Sequence, residues 1–173
     1  MKNTEYIQQD KYPACFLIAL LNARIYHNKP YPVEMKSLKW EKMIDEYGCR
    51  YGSCINRKQA TEDLDLDLIP IDRDNIPNKL PAMITSFTKV GFHSSLVIDT
   101  DKDKWTIINY DGRKETLCQI INKKDIKFPR KGNINDKHYH IECRKDMIKG
   151  YRFKIWVNMI LLWIYLCIIL FIC

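Results

Sequence analysis

A cysteine and a histidine in this chain have the residue types and the local patterns that thiol chemistry needs. Cys15 lies in the first turn of a predicted helix, beside its apolar stripe, and His93 lies at the start of a run with the character of a β-strand. The dipole and the unsatisfied N–H groups at the start of a helix favour the thiolate form of a cysteine placed there. Cys15 is the only cysteine of the chain in such a position, so we predict that it is a nucleophile with His93 as its base.

A residue on the following strand is expected to orient the base. Asn109 comes 16 residues after His93, at the end of the next predicted strand, where its side chain would hold the imidazole. Asp111 lies two residues further on the same strand face and is the reserve third member of the triad. The plain structural alternative is that Asn109 only precedes a turn at Asp111 and Gly112.

Attack on a carbonyl carbon also requires donors for the oxyanion. The backbone N–H of Cys15 is one such donor. Gln9, six residues before Cys15, supplies a side-chain amide from the loop that leads into the helix. Gln8 carries the same amide, and only the six-residue spacing selects Gln9.

The elements that must position these residues form a helical half followed by a strand half. The apolar spacing, together with the proline and glycine breaks, predicts helices over 13–26, 33–47 and 56–64. Alternating and β-branched stretches predict strands over 66–71, 82–87, 92–98, 104–110 and 139–143, with 116–122 left open between helix and strand. The fold class is therefore α+β, with N-terminal helices packed on an antiparallel sheet.

This order of residues resembles that of the papain-like cysteine peptidases, and most closely that of the bacteriocin-processing peptidases among them. The segment from Gln9 to Cys15 is similar to the Gln-x-Asp-x-x-Asp-Cys box of that family, and the 78 residues from Cys15 to His93 suit its small core. The resemblance covers about residues 8–112. It implies a papain-like fold that hydrolyses peptide or isopeptide bonds through Cys15, His93 and Asn109, with Gln9 at the oxyanion.

The chain departs from the bacteriocin-processing pattern at two of these places. Phe16 follows the nucleophile where that family commonly has glycine, and an aromatic residue there is closer to papain. Asn109 is likewise papain-like, because the bacteriocin-processing enzymes use Asp as the third residue. A catalytically silent papain-like fold that serves as a binding or structural subunit is the main alternative to an active peptidase.

The last 19 residues, 155–173, are apolar except for Asn158 and predict a transmembrane helix. At about 1.5 Å per residue they would span roughly 28 Å, close to the hydrocarbon thickness of a bilayer. The segment before them, 144–154, carries Arg144, Lys145, Lys149, Arg152 and Lys154 against the single acid Asp146. The positive-inside rule keeps this flank cytoplasmic, so a tail anchor would leave the N-terminal domain facing the cytoplasm. The predicted organisation is a peptidase domain over 1–143, a basic juxtamembrane linker over 144–154 and an anchor over 155–173.

Composition and charge limit the other classes of function. The net charge of +7 belongs largely to the juxtamembrane segment, so we expect no nucleic-acid partner for the 173-residue chain. Five residues could in principle bind zinc, but their spacing does not match that of common zinc motifs: Cys49, Cys54, His138, His140 and Cys143. We therefore expect no metal and no cofactor. The expected partners are a peptide or protein substrate and a membrane, and a membrane-protein partner remains open.

Overall fold

The structure is a computed structural model that describes residues 6–8, 14–29, 45, 47, 56–89, 91–110 and 117–144. All of these except Arg144 belong to one compact unit, Met1–Cys143. The unit combines helices with a single antiparallel sheet, so the predicted α+β class is confirmed. Of the helix predicted over 33–47, only Asp45 and Tyr47 lie within the described residues.

Two α-helices and six strands make up the described part of the chain. The helices are α1, Cys15–Tyr26, and α2, Arg57–Asp63. The strands are β1 Leu66–Ile71, β2 Ala82–Thr88, β3 Gly91–Asp101, β4 Lys104–Ile108, β5 Cys118–Asn122 and β6 His138–Cys143. Short 3-10 turns at Arg73–Asn78 and Lys123–Asp125 join them. Of the stretch left open over 116–122, residues Cys118–Asn122 form a strand, and β4 ends two residues earlier than the sequence predicts.

The strands form one sheet in the order β1-β6-β2-β3-β4-β5, and every neighbouring pair is antiparallel. β2 and β3 form a hairpin in which Gly91, with φ of 106°, adopts a backbone conformation that side chains disfavour. β3 and β4 form the next hairpin, as the sequence predicts, and its turn includes Lys102 at φ of 47°. The hairpin places Ile108, at the end of β4, opposite Leu96 in the middle of β3.

Helix α1 lies on one face of this sheet, against β3 and β6. All of its residues from Cys15 to Arg24 are buried, including the polar Asn22 and the charged Arg24. The guanidinium of Arg24 donates to the carbonyl of Leu64 at the end of α2, which satisfies its buried charge in part. The core on this face includes Leu17, Leu20, Leu66, Met83, Leu96, Ile108 and Ile141.

The opposite face of the sheet has a separate apolar core. Its buried members are Ile76, Ala82, Ile84, Val97, Trp105, Ile107 and Ile126. Val97 and Ile107 are cross-strand partners on this face, whereas their neighbours Leu96 and Ile108 pair on the α1 face. The alternation of side chains along β3 and β4 thus supplies both cores from the same two strands.

Within these described ranges, the structure contains no helix that is both long enough and apolar enough to cross a membrane. The predicted transmembrane segment, 155–173, lies outside them.

Candidate active site

Cys15 lies in the first turn of α1, as the sequence predicts, and is the first residue of the helix. The carbonyl of Ala14 accepts the first intrahelical hydrogen bond from the N–H of Ile18 at 3.0 Å, so Cys15 lies in the first turn. Its side chain is 5% exposed. A thiol at this position lies near the positive end of the helix dipole, and most of the residue is shielded from water.

The ring of His93, on β3, forms a hydrogen bond with the side chain of Cys15. Burial by itself would raise the pKa of the Cys15 thiol. The hydrogen bond and charge of His93, helped by hydrogen bonds from Ser94, lower this pKa and outweigh burial. The net result is a pKa below that of an ordinary cysteine. The structure therefore brings the predicted nucleophile and the predicted base together.

The backbone carbonyl of Asn109 holds the ring of His93, a role that the sequence predicts for the Asn109 side chain. The Nε2 atom of His93 lies 2.6 Å from the carbonyl oxygen of Asn109. A carbonyl oxygen only accepts, so Nε2 carries the proton and Nδ1 is the basic nitrogen of the neutral ring. Asn109 follows the end of β4 and adopts a left-handed backbone with φ of 54°. In this conformation its carbonyl faces the ring of His93.

The side-chain amide of Asn109 has a different partner, the backbone of Ile7. Its Nδ2 donates to the Ile7 carbonyl oxygen at 2.9 Å. Asn22 on α1 also hydrogen-bonds to the backbone of Ile7. The N–H of Ile7 donates to Asn22 Oδ1 at 2.7 Å, and Asn22 Nδ2 donates to the Ile7 carbonyl at 2.9 Å. Three hydrogen bonds thus hold one residue of the segment that leads to Gln9.

Two residues of the predicted site lie outside the described residues, namely Gln9 and Asp111. Within the described residues, β4 ends at Ile108 and Asn109 follows it, with its carbonyl at the ring of His93.

Ser94 belongs to the site although its sequence pattern did not single it out. Its N–H and its hydroxyl both contribute hydrogen bonds that lower the pKa of Cys15. The signal available in the sequence was only its position next to His93. A serine in a strand is too common for that position alone to indicate a role.

Phe16, the residue that departs from the bacteriocin-processing pattern, is packed into the protein interior. It is 4% exposed, and the guanidinium of Arg57 lies 4.9 Å from the centre of its ring. The aromatic side chain therefore contributes to the core between α1 and α2.

The residues considered for zinc are divided between described and undescribed parts of the chain. Cys49 and Cys54 lie outside the described residues. His138 Nε2 hydrogen-bonds to Asp136 Oδ1 at 2.9 Å, and His140 Nε2 lies 3.1 Å from Glu142 Oε1. Among the side chains that the structure describes, no group of three or more His, Cys, Asp or Glu is arranged to hold a metal ion.

Comparisons of the chain with protein-family models, with curated proteins and with solved structures gave no match. The grounds for a function are therefore the geometry of the site and the resemblance of its residue order to the papain-like peptidases.

Proposed function

We propose that this chain is a membrane-anchored, papain-like cysteine peptidase that hydrolyses peptide or isopeptide bonds. The observation that supports it best is the Cys15–His93 pair, in which a helix-start thiol of lowered pKa hydrogen-bonds to an imidazole whose Nε2 is held by the carbonyl of Asn109. A helix N-terminus and a paired base are means by which cysteine nucleophiles are activated. The helix that carries the thiol packs on the strand that carries the base, which keeps the two aligned.

The proposed reaction begins with transfer of the Cys15 proton to Nδ1 of His93 and attack of the thiolate on the scissile carbonyl carbon. The N–H of Cys15 and the amide of Gln9 bind the oxyanion. When the C–N bond breaks, the His93 imidazolium protonates the leaving amine and a thioester remains on Cys15. Water that gives its proton to His93 then hydrolyses the thioester and restores the thiol.

The membrane part of the proposal depends on the sequence of 144–173. An apolar segment over 155–173 would hold the domain at a membrane, and the basic linker would keep it on the cytoplasmic side. The substrates would then be peptides or proteins that reach this surface. Deamidation and acyl transfer use the same residues, and the substrate itself decides among these reactions.

Competitive thiol labelling tests the proposed nucleophile. Detergent-solubilised full-length protein receives limiting iodoacetamide at about pH 6, and mass spectrometry maps the modified cysteines. We expect Cys15 to react before Cys118, since burial raises the pKa of the Cys118 thiol. The preference should disappear in His93→Ala.

A matched control removes another buried histidine. His140 on β6 is 8% exposed and its ring contacts the carbonyl of Pro81, away from Cys15. We expect His140→Ala to keep the preference for Cys15. Slow and uniform labelling of Cys15, Cys118 and Cys143 in the wild-type chain would contradict the proposal and favour a silent papain-like subunit.

A further inference from the structure

Strand β5 is the last strand on one side of the sheet, and no described strand lies along its outer edge. It contains neither a charged residue nor a proline, and Ile120 at its centre is 73% exposed. Edge strands of this kind pair readily with another strand. We propose that β5 of one chain pairs antiparallel with β5 of a second copy, so that the sheet continues across a two-fold dimer. This inference does not depend on the proposed peptidase activity.

The direction of the main-chain groups of β5 is the first reason for this proposal. Just before the strand, the carbonyl of Leu117 accepts from the N–H of Asn109 at 2.8 Å. Just after it, the N–H of Lys123 donates to the carbonyl of Asp103 at 2.6 Å. Odd-numbered residues therefore direct these groups towards β4 and the turn that precedes it. Because the direction alternates along a strand, the even-numbered residues direct theirs to the outer edge: Cys118, Ile120 and Asn122.

The opposite edge of the sheet, β1, has features that oppose such pairing. Pro70 has no N–H to donate, and Asp67 places an exposed charge on the strand. Proteins commonly protect edge strands with proline and charge. Since only one of the two described edges lacks this protection, pairing through β5 closes at two copies and does not continue into a fibre.

The sequence of β5 is suited to pairing with itself. A two-fold axis at Ile120 places Cys118 opposite Asn122 of the second copy, and each such pair exchanges both of its main-chain hydrogen bonds. The same register places Lys123 opposite Leu117 of the second copy and about 20 Å from the other Lys123. A parallel pair would instead set the two lysines side by side, where like charges repel. Charge therefore favours the antiparallel arrangement.

A cysteine at position 122 tests this register. In the dimer, Asn122→Cys places a thiol opposite Cys118 of the second copy, at about 5.5 Å between Cα atoms, which a disulfide bridges. In the wild type the two copies of Cys118 lie about 13 Å apart, which is too far. We expect copper phenanthroline and air to cross-link detergent-solubilised full-length Asn122→Cys between positions 118 and 122, as mapped by mass spectrometry. Wild-type Cys118 should stay uncross-linked.

A matched control places the thiol on the protected edge. Ile69 lies within β1 and is 39% exposed, so Ile69→Cys presents an accessible thiol on an edge strand that contains proline. We expect no site-specific cross-link in this variant under the same conditions.

A second variant tests the main-chain hydrogen bonds without thiol chemistry. Because the N–H of Ile120 points away from β4, Ile120→Pro keeps the pairing with β4 and removes one hydrogen bond on each side of the two-fold axis. We expect the dissociation constant of the dimer, measured by sedimentation in detergent at several protein concentrations, to rise at least about tenfold. Ile120→Val keeps the N–H and should dimerise like the wild type.

The outcomes decide whether a second copy occupies this edge. A wild-type chain that stays monomeric at every concentration would overturn the proposal, and slow amide exchange at Ile120 in that monomer would show that another part of the same chain covers the edge. A dimer that is unchanged in folded Ile120→Pro, or cross-linking of Ile69→Cys as fast as that of Asn122→Cys, would also overturn it. If Ile120→Pro does not fold, the cross-link between positions 118 and 122 decides.

Discussion

Two opposing effects act on the sulfur of Cys15. Burial disfavours the charged thiolate, whereas His93 and the two donors of Ser94 favour it. The favourable contacts outweigh burial, so the pKa of the thiol is lowered and the thiolate fraction rises. Cys118 is more exposed, but burial of its sulfur without such donors raises its pKa. The chemistry of the two cysteines therefore follows from their partners and not from their accessibility.

Ser94→Ala should shift the alkylation profile of Cys15 to higher pH. The substitution removes the hydroxyl donor but keeps the backbone N–H, so the pKa of Cys15 should rise by less than it does in His93→Ala. The rate of iodoacetamide labelling, followed from about pH 5 to pH 10, measures the shift. Cys118 in the same samples serves as the internal reference, and an unchanged profile in Ser94→Ala would contradict the assigned role.

The left-handed backbone of Asn109 makes an unusual prediction about stability. At φ of 54° alanine pays a steric cost that glycine does not, so Asn109→Ala should be less stable than Asn109→Gly by about 1 kcal/mol. Urea unfolding measures the difference. At Asn122, where φ is −67°, the same pair should not favour glycine, and equal behaviour at both positions would count against the conformation of Asn109.

Residue types and spacing were enough to select Cys15, His93 and Asn109 for this site. They did not show how Asn109 acts, because that depends on where β4 ends and on one backbone dihedral angle. The contacts of Ser94 and Asn22 were missed for a similar reason. They join segments far apart in the chain, and no local pattern encodes them.

At the scale of elements, packing between α1 and β3 sets the distance from nucleophile to base. Leu17 and Leu20 on the helix are fully buried, and Leu96 on the strand lies in the same core. Side chains in such a core interlock at crystal-like density, so a cavity there shifts its neighbours. The alignment of Cys15 with His93 should therefore respond to changes in this core.

Leu96→Ala tests this coupling between core and site. The truncation should lower the free energy of unfolding by about 2–5 kcal/mol and also move the alkylation midpoint of Cys15 towards that of an ordinary thiol. Ile107→Ala is the matched control, since Ile107 is equally buried on the opposite face of the sheet. It should lose comparable stability while the Cys15 midpoint stays unchanged; a shift in both variants would show that the two cores are not independent.

The elements themselves were largely readable from periodicity. β1 has the bounds expected from its pattern, and α1 and α2 differ from expectation by one or two residues at their ends. The strand at 118–122 was ambiguous because its residues alternate only between exposed and half-buried. Neither face of this strand is strongly apolar, so its sequence lacks a clear alternating pattern. Its place beside β4 comes from pairing between strands, which is a tertiary property.

At the scale of the whole molecule, a second polar cluster joins the loop before β6 to the turn before β2. Arg73 donates to Asp136 at 2.7 Å, Asp136 accepts from His138 at 2.9 Å, and Arg73 stacks over Phe128. Burial lowers the pKa of His138, and Asp136 offsets this only in part. Burial would raise the pKa of Asp136, but Arg73 and His138 outweigh it and lower that pKa.

Acid should therefore destabilise the fold in two stages. Both groups bind protons more weakly in the folded chain than in the unfolded chain. Their contribution to the free energy of unfolding is therefore complete above the ordinary pKa values, 6.5 for His138 and 3.8 for Asp136, and is lost as the pH falls below each. Urea unfolding across this range measures it. His138→Gln should remove the upper stage and reduce the lower one, because His138 also helps to lower the pKa of Asp136 while Arg73 remains. A profile unchanged by the substitution would contradict the prediction.

The proposed anchor predicts how the whole chain partitions. Full-length protein should remain with membranes after alkaline carbonate extraction, because an apolar segment of about 20 residues spans a bilayer. A chain ending at Lys154 keeps the basic linker and should be released by salt, since charge attraction alone is screened. Release of the full-length chain by the same wash would exclude the anchor.

The contact between His93 and the backbone of Asn109 has a consequence for evolution. Every amino acid has a main-chain carbonyl, so a change of side chain at this position does not delete the group that holds the imidazole. Selection there acts on backbone shape, and glycine or asparagine satisfies it equally well. A search pattern that demands an amide or carboxylate as the third residue would pass over related chains with the same working geometry.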